Sequence, residues 1–84
     1  MNPIDYSCFR SLTARGLVAA LQRDGFIPAR QRGSHHRYEH PDGRKVTVPF
    51  SSPGDTFLLK TLKSIIEKQA RWTEEDLQQL ALLK

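Results

Sequence analysis

Residues 32–50 constrain the fold more than any other part of the chain, because they carry two strand patterns joined by one tight turn. The turn is His40-Pro41-Asp42-Gly43-Arg44, in which proline presets its own φ and glycine accepts a positive φ. After the turn, Val46, Val48 and Phe50 alternate with polar residues or proline, as in a strand with one buried and one wet face. The segment therefore predicts an antiparallel pair of strands, residues 34–40 and 45–50.

The flanking patterns predict one further strand and three helices. Residues 26–31 form a first strand, and Pro28 places it at a sheet edge because proline cannot donate to a ladder on both sides. Thr13 caps a helix over residues 14–24 that ends at Gly25, and Thr73 caps a C-terminal helix. Between them, a second helix begins near Thr61. The predicted class is α+β, with a three-stranded antiparallel sheet, helices packed on one face, the order α-β-β-β-α and an extra C-terminal helix.

The connection over residues 51–60 is predicted to be a loop, although it contains an apolar run. Phe57, Leu58 and Leu59 are expected to be covered by the core or by loop packing. A contact of these residues with a partner protein is the alternative.

Size and charge limit the functions that such a chain can have. With 84 residues it forms one small domain with one core, so a functional site is expected on an open face or edge. Thirteen basic and nine acidic residues give a formal charge of +4, which favours an anionic partner. The single cysteine excludes an internal disulfide, and no apolar run is long enough to span a membrane. We therefore expect a cytoplasmic protein.

The strand over residues 34–40 contains all three histidines, and its alternation separates them. Neighbouring side chains of a strand face opposite sides, so His36 and His40 are predicted to face the helices with Tyr38. His35 and Arg37 are predicted to face water. Four residues of strand span roughly 13 Å, which is too far for His36 and His40 to share a metal ion. No metal site and no cofactor are expected.

His35 is the candidate for chemistry, because an imidazole exchanges protons near neutral pH. Gly33 and Ser34 precede it and supply backbone amides, a hydroxyl and room for a phosphate to approach. In RNA, a base that removes the 2′-hydroxyl proton could accelerate attack on the adjacent phosphorus by about 10²–10⁴-fold. Basic residues surround this position: Arg30, Arg32, Arg37 and Lys45. The alternative is that His35 is an ordinary solvated polar residue.

Two lysines near the predicted start of the second helix are further candidates for phosphate contact. Lys60 and Lys63 lie where the helix dipole favours anions, and a nucleic-acid backbone would offset that cost. The alternative is that they belong to the solvated face of an amphipathic helix.

The order of these motifs resembles that of the HicA toxin family, over about residues 13–77. The segments that carry the resemblance are Asp24-Gly25-Phe26, Arg32-Gly33-Ser34-His35-His36, His40-Pro41-Asp42-Gly43-Arg44, Val46-Thr47-Val48-Pro49-Phe50, Thr61-Leu62-Lys63-Ser64-Ile65 and Gln69-Ala70. The chain departs from the family's pattern at Ser51, where a histidine is common, and in the apolar loop that follows. Residues 1–12 are interpreted as an N-terminal extension and residues 13–84 as a single HicA-like domain.

The resemblance implies a fold similar to the double-stranded RNA-binding domain. It also implies a metal-independent endoribonuclease that cleaves mRNA and inhibits translation, with His35 as the catalytic histidine. The implied partner is a HicB-type antitoxin that covers the active site, and operator DNA is bound only through the antitoxin complex. The RNA-binding candidates are Arg32, Gly33, Ser34, Arg37, Lys45, Lys60 and Lys63. A non-catalytic RNA-binding module of the same fold is the alternative, and a basic partner of an acidic antitoxin-like protein is a second one.

Overall fold

The computed structural model describes Ile4, residues 6–80 and Leu82. Within these residues the elements are a 3₁₀ helix (Tyr6–Phe9), α1 (Ala14–Asp24), β1 (Ile27–Arg32), β2 (His35–Glu39), β3 (Lys45–Pro49), α2 (Leu59–Lys63), a π-helical segment (Ser64–Gln69) and α3 (Glu74–Gln79). The strands form one antiparallel sheet in the order β1-β2-β3. The predicted α+β class, with helices on one face of a sheet similar to that of the double-stranded RNA-binding domain, is confirmed. No helix of the described part is long and apolar enough to cross a membrane.

The register of β2 with β3 sorts the sheet residues onto two faces. Tyr38 lies opposite Val46, and His36 lies opposite Val48, on the face that packs against the helices. Tyr38, Val46 and Val48 are buried, whereas the alternate residues of β2 are exposed. The sidedness predicted from the alternation is therefore confirmed. We call the side of the sheet that carries His35, Arg37 and Glu39 the outer face.

The edges of the sheet are protected in different ways. β1 is an edge strand, as Pro28 predicted, and all six of its residues are exposed. The pairing of β1 with β2 shifts by one residue between Pro28 and Arg30, which is a β-bulge. On the opposite edge, the backbone N–H of Thr47 in β3 donates to Oε1 of Gln69 at 2.8 Å. The π-helical segment thus satisfies a donor that an open edge would leave unpaired.

The ends of α1 follow the predicted capping chemistry. Thr13 Oγ1 accepts from the N–H of Gly16 at 3.2 Å, and Gly25 closes the helix with a φ of 109°. A side chain at Gly25 would also place its Cβ 2.9 Å from Nε2 of His40. That nitrogen donates to the carbonyl of Asp24 at 2.8 Å and joins the end of α1 to the end of β2. Gly25 therefore meets both a backbone requirement and a packing requirement.

Arg44, at the end of the β2–β3 turn, connects three parts of the fold. Its guanidinium lies 3.0 Å from the carboxylate of Asp24 and donates to the carbonyl of Ala70 at 2.6 Å. The same Asp24 carboxylate accepts from Nε1 of Trp72 at 2.9 Å. Several residues of the family resemblance therefore stabilise the fold rather than take part in chemistry.

The second helix starts close to the predicted residue, whereas the cover predicted for the apolar run before it is wrong for two of its three residues. α2 begins at Leu59, two residues before Thr61, and its N-cap Leu58 makes no side-chain capping bond. No sequence signal therefore marks this start. Leu58 is 78% exposed and Leu59 is 52% exposed, so the core does not cover them, and only Phe57 is half-buried.

The described part of the N-terminal extension packs onto the domain. Phe9 is only 2% exposed and belongs to the same core as the buried residues of α1 and β3. The Tyr6 hydroxyl donates to the carboxylate of Glu67, and burial followed by this bond raises the pKa of Tyr6. Residues 1–3 and 5 lie outside the described residues.

Candidate active site

A two-residue turn places His35 at one end of the outer face. Gly33 has a φ of 58°, and positive φ at the first central residue alone is the pattern of a type II′ hairpin turn. A Cβ at Gly33 would meet nothing within 4 Å, so the space beside the turn is open. The Ser34 carbonyl accepts from the N–H of Phe50 at 2.8 Å, which fixes the turn to the end of β3. His35 follows as the first residue of β2 and is exposed.

His35 lies in an open depression of about 320 Å³. The outer face of the sheet forms one side of the depression, and the helical residues 60–69 form the other. The residues that line it are His35, Thr47, Pro49, Lys60, Thr61, Ser64, Ile65 and Gln69. Two of the predicted site residues, His35 and Lys60, therefore line the same depression although they lie 25 positions apart in the sequence. The depression offers an imidazole, an ammonium and several hydroxyl groups to one ligand.

One wall of the depression is held by a short hydrogen-bond chain. Gln69 accepts from the N–H of Thr47 and donates through Nε2 to Oγ of Ser64 at 3.0 Å. Because Ser64 Oγ accepts this bond, its own hydrogen is free to donate to a ligand. Sequence reasoning missed all three of these residues as parts of the site. All three belong to segments that carry the resemblance, but only the π-helical segment places Ser64 and Gln69 beside β3.

The cross-strand pairs set the charge of the outer face. His35 lies opposite Arg32, and one row further along the sheet Arg37 lies opposite Arg30. Nε of Arg37 also lies 3.7 Å from the Glu39 carboxylate. Arg32 is therefore the predicted cation nearest in register to His35, and Arg37 belongs to the next row.

Two other predicted RNA-binding lysines lie away from this depression. Lys45 is paired with Glu39, four residues of β2 away from His35, which corresponds to roughly 13 Å. The ammonium of Lys63 lies 5.8 Å from the centre of the Tyr6 ring, beside the N-terminal 3₁₀ helix. The structure thus places Lys60 in the depression with His35 and places Arg32 opposite His35 on the neighbouring strand, and neither Lys45 nor Lys63 lines the depression.

The other two histidines have structural partners. The His36 ring stacks on Phe50 at 3.8 Å, and its Nε2 donates to the Phe50 carbonyl at 3.1 Å. His40 donates from Nε2 to Asp24, and its Nδ1 accepts from the N–H of Asp42 at 3.0 Å. Of the three histidines, all within the described residues, His35 is the one that is exposed. In the part of the chain that the structure describes, no three His, Cys, Asp or Glu side chains group as a metal site.

The loop after β3 is ordered by Asp55. Its carboxylate accepts from the backbone N–H groups of Ser51 and Ser52, at 2.9 and 3.1 Å, and these bonds lower the pKa of Asp55. Its carbonyl accepts from the N–H of Ala14 at 2.8 Å and ties the loop to the start of α1. At Ser51, where a histidine is common in the family, the bond to Asp55 uses the backbone N–H and does not depend on the side chain.

The architecture first defines the class of protein. It is an α+β domain similar to the double-stranded RNA-binding domain, and arginines of β1 and β2 lie on the outer face of its sheet. Residues 14–72 match the family model described as the HicA toxin of bacterial toxin-antitoxin. The match covers more than half of the 84 residues, and the chain belongs to the HicA toxin family. The protein is thus a toxin of a toxin-antitoxin system, and membership implies, in general terms, an RNA substrate and a HicB-type antitoxin. Among curated proteins, none matches the chain.

Proposed function

We propose that this toxin is an endoribonuclease that cleaves mRNA, without a metal ion, and so inhibits translation. The observation that carries the proposal is the placement of His35. Its side chain is exposed in a depression that Lys60 also lines, and His35 is the register partner of Arg32 in β1. The two remaining histidines are engaged by backbone groups of the fold. An imidazole that the fold leaves free, beside two cations, has the composition that cleavage of a phosphodiester requires.

In the proposed reaction, neutral His35 takes the proton of a ribose 2′-hydroxyl. The 2′-oxygen then forms a bond to the adjacent phosphorus, and the bond from phosphorus to the 5′-oxygen breaks. The imidazolium returns its proton to that 5′-oxygen, so the products are a 2′,3′-cyclic phosphate and a 5′-hydroxyl. The base contributes about 10²–10⁴-fold to the rate. Arg32 and Lys60 stabilise the negative charge that develops on the phosphoryl oxygens.

The surroundings of His35 favour single-stranded message as the substrate. The depression is open, and the scissile sugar must rotate freely to align its 2′-oxygen with the leaving oxygen. The open space at Gly33 lets the backbone of the strand approach closely, and the exposed Ser34 offers a hydroxyl to the phosphate. Arg37, Lys45 and Lys63 lie outside the depression and contact neighbouring parts of the strand.

The alternative function is RNA binding without cleavage. It is favoured by one observation, that the arginines of β1 and β2 extend beyond the row that contains His35. A module that only binds RNA gains nothing from His35 itself, so the two functions differ at this residue. A HicB-type antitoxin that covers His35 would silence either of them, and operator DNA would be bound only through the complex with that antitoxin.

The test is incubation of the purified protein with end-labelled single-stranded RNA, beside the His35→Ala variant. Wild-type protein should produce fragments with cyclic phosphate ends, and His35→Ala should produce none while it still binds the RNA. His35→Ala should also melt at the wild-type temperature, because the side chain is exposed. Binding by both proteins with no cleavage by either would establish the alternative, and equal cleavage by both would remove His35 from the reaction.

A further inference from the structure

Two arginines lie directly opposite each other on the outer face, in a geometry that costs stability. Arg30 of β1 and Arg37 of β2 are register partners, and both are exposed. Like charges that face each other across strands destabilise a sheet. The Glu39 carboxylate, 3.7 Å from Nε of Arg37, offsets only part of this repulsion. A pair that the fold does not need is a candidate for binding an anion.

The surface around this pair of arginines is concave, and the backbone of β1 is irregular there. Both arginines line an open depression of about 310 Å³. Its other lining residues are Pro28, Ala29, Gln31, His36 and Tyr38, so it extends past the outer face to residues of the face that packs against the helices. The bulge between Pro28 and Arg30 leaves Ala29 without a register partner and brings Arg30 into line with Arg37. Bulges redirect side chains and are frequent beside functional sites. The bulge therefore sets the pairing of Arg30 with Arg37, and the depression lies at the same pair of strands.

The position of the pair relates it to His35. Arg37 follows His35 by two residues on the same face of β2, which corresponds to about 6.6–6.8 Å. This spacing is comparable with that of consecutive phosphates along an extended nucleic-acid strand. A strand whose scissile phosphate lies at His35 can therefore place its next phosphate between the two arginines.

We propose that Arg30 and Arg37 form a clamp for the phosphodiester adjacent to the scissile one. The proposal rests on the proposed function, because the position of the scissile phosphate defines which neighbour the clamp takes. Each guanidinium presents paired N–H donors to one phosphate, and the phosphate removes the repulsion between them. Glu39 limits the clamp on the side away from His35, since a further phosphate there would face its carboxylate.

The first test measures binding of a short RNA that is methylated at its 2′-oxygens, so that it is bound but not cleaved. Arg30→Gln and Arg37→Gln should each weaken binding roughly tenfold. The double variant should weaken it little further, because the two arginines share one phosphate. For the double variant, the slope of log K against log salt should fall by about 0.7, the value for one phosphate of a single strand, rather than by about 1.4. Arg71→Gln is the matched control, because Arg71 is exposed and lies away from the pair. It follows Ala70, whose carbonyl accepts from Arg44 at the end of the sheet opposite to His35.

A second test identifies the phosphate. A neutral methylphosphonate link beside the cleavage position, on the 5′ side or on the 3′ side, should weaken binding by wild-type protein at one of the two places. For the Arg30→Gln variant, a methylphosphonate link at that same position should not weaken RNA binding any further. Glu39→Gln should tighten binding, whereas Glu75→Gln, which removes an exposed acid of α3, should not.

The outcomes separate the clamp from the proposed function. If wild-type protein cleaves RNA but Arg30→Gln binds it as Arg71→Gln does, the clamp is refuted while the nuclease stands. If RNA is bound but never cleaved, and the methylphosphonate effect is absent at every link, both are refuted. Melting temperatures provide the last check. Each single variant should melt at or above the wild-type temperature at low salt, and a marked drop would show that the pair is structural.

Discussion

Replacement of Phe9 by alanine tests whether the N-terminal segment is part of the folded domain, although it precedes the residues that match the family. Phe9 is 2% exposed and packs in the common core. Removal of a buried phenylalanine side chain costs about 3–5 kcal/mol. Domains of this size have a free energy of unfolding of roughly 4–13 kcal/mol, so the variant should lose a large fraction of it. With about 4–8 °C per kcal/mol, the melting temperature should fall by at least roughly 12 °C.

The matched control for this variant is Leu58→Ala. Leu58 is also a large apolar residue, but it is 78% exposed, so its removal should leave the melting temperature nearly unchanged. The assay is thermal and urea unfolding of both variants beside wild-type protein, followed by circular dichroism. If Phe9→Ala and Leu58→Ala have the same melting temperature and the same urea midpoint, the N-terminal segment contributes nothing to the core, and the packing of Phe9 described above is refuted.

Four further predictions concern the site and its supports. Gln69→Ala should destabilise the fold by about 1–3 kcal/mol and slow cleavage, since it leaves the N–H of Thr47 unpaired, and an unchanged urea midpoint would contradict this role. Lys60→Ala should lower both RNA affinity and the cleavage rate, whereas Lys63→Ala should lower affinity alone, and equal effects on the rate would remove the distinction between them. The pKa of Asp55 is lowered in the fold, so its contribution to stability is complete above its ordinary value of 3.8 and is lost as the pH falls further; an Asp55→Asn variant should show a smaller acid loss than wild type. Cleavage should continue in EDTA, and it should slow in acid, because a protonated imidazole cannot act as a base.

Local rules predicted the ends of α1, the antiparallel strands and the faces of the histidines. Thr13 and Gly25 act at the ends of a helix through their own side chain and backbone, so a few residues of sequence contain the signal. The period of two along β2 likewise separated His35 from His36 without knowledge of the partner strands.

The same rules were less exact where no local signal exists. Leu58, the N-cap of α2, makes no side-chain capping bond, so the start of this helix was predicted only to within two residues. The π-helical segment has no sequence signature that distinguishes it from an α-helix. The exposure of Leu58 was missed because a run of apolar residues predicts burial. Whether the core has space for those residues depends on the rest of the chain.

By itself, the sequence determined that this protein has a basic α+β domain with one histidine exposed at the start of a strand, since charge, capping and alternation depend on near neighbours. Only the tertiary structure decided that Lys60 joins His35, that Lys63 does not, and that Arg30 faces Arg37 across a bulge. These relations depend on strand register and on how a helix packs beside a sheet edge. Both are set by the sum of many contacts between segments that are distant in sequence, and no short stretch of residues encodes that sum.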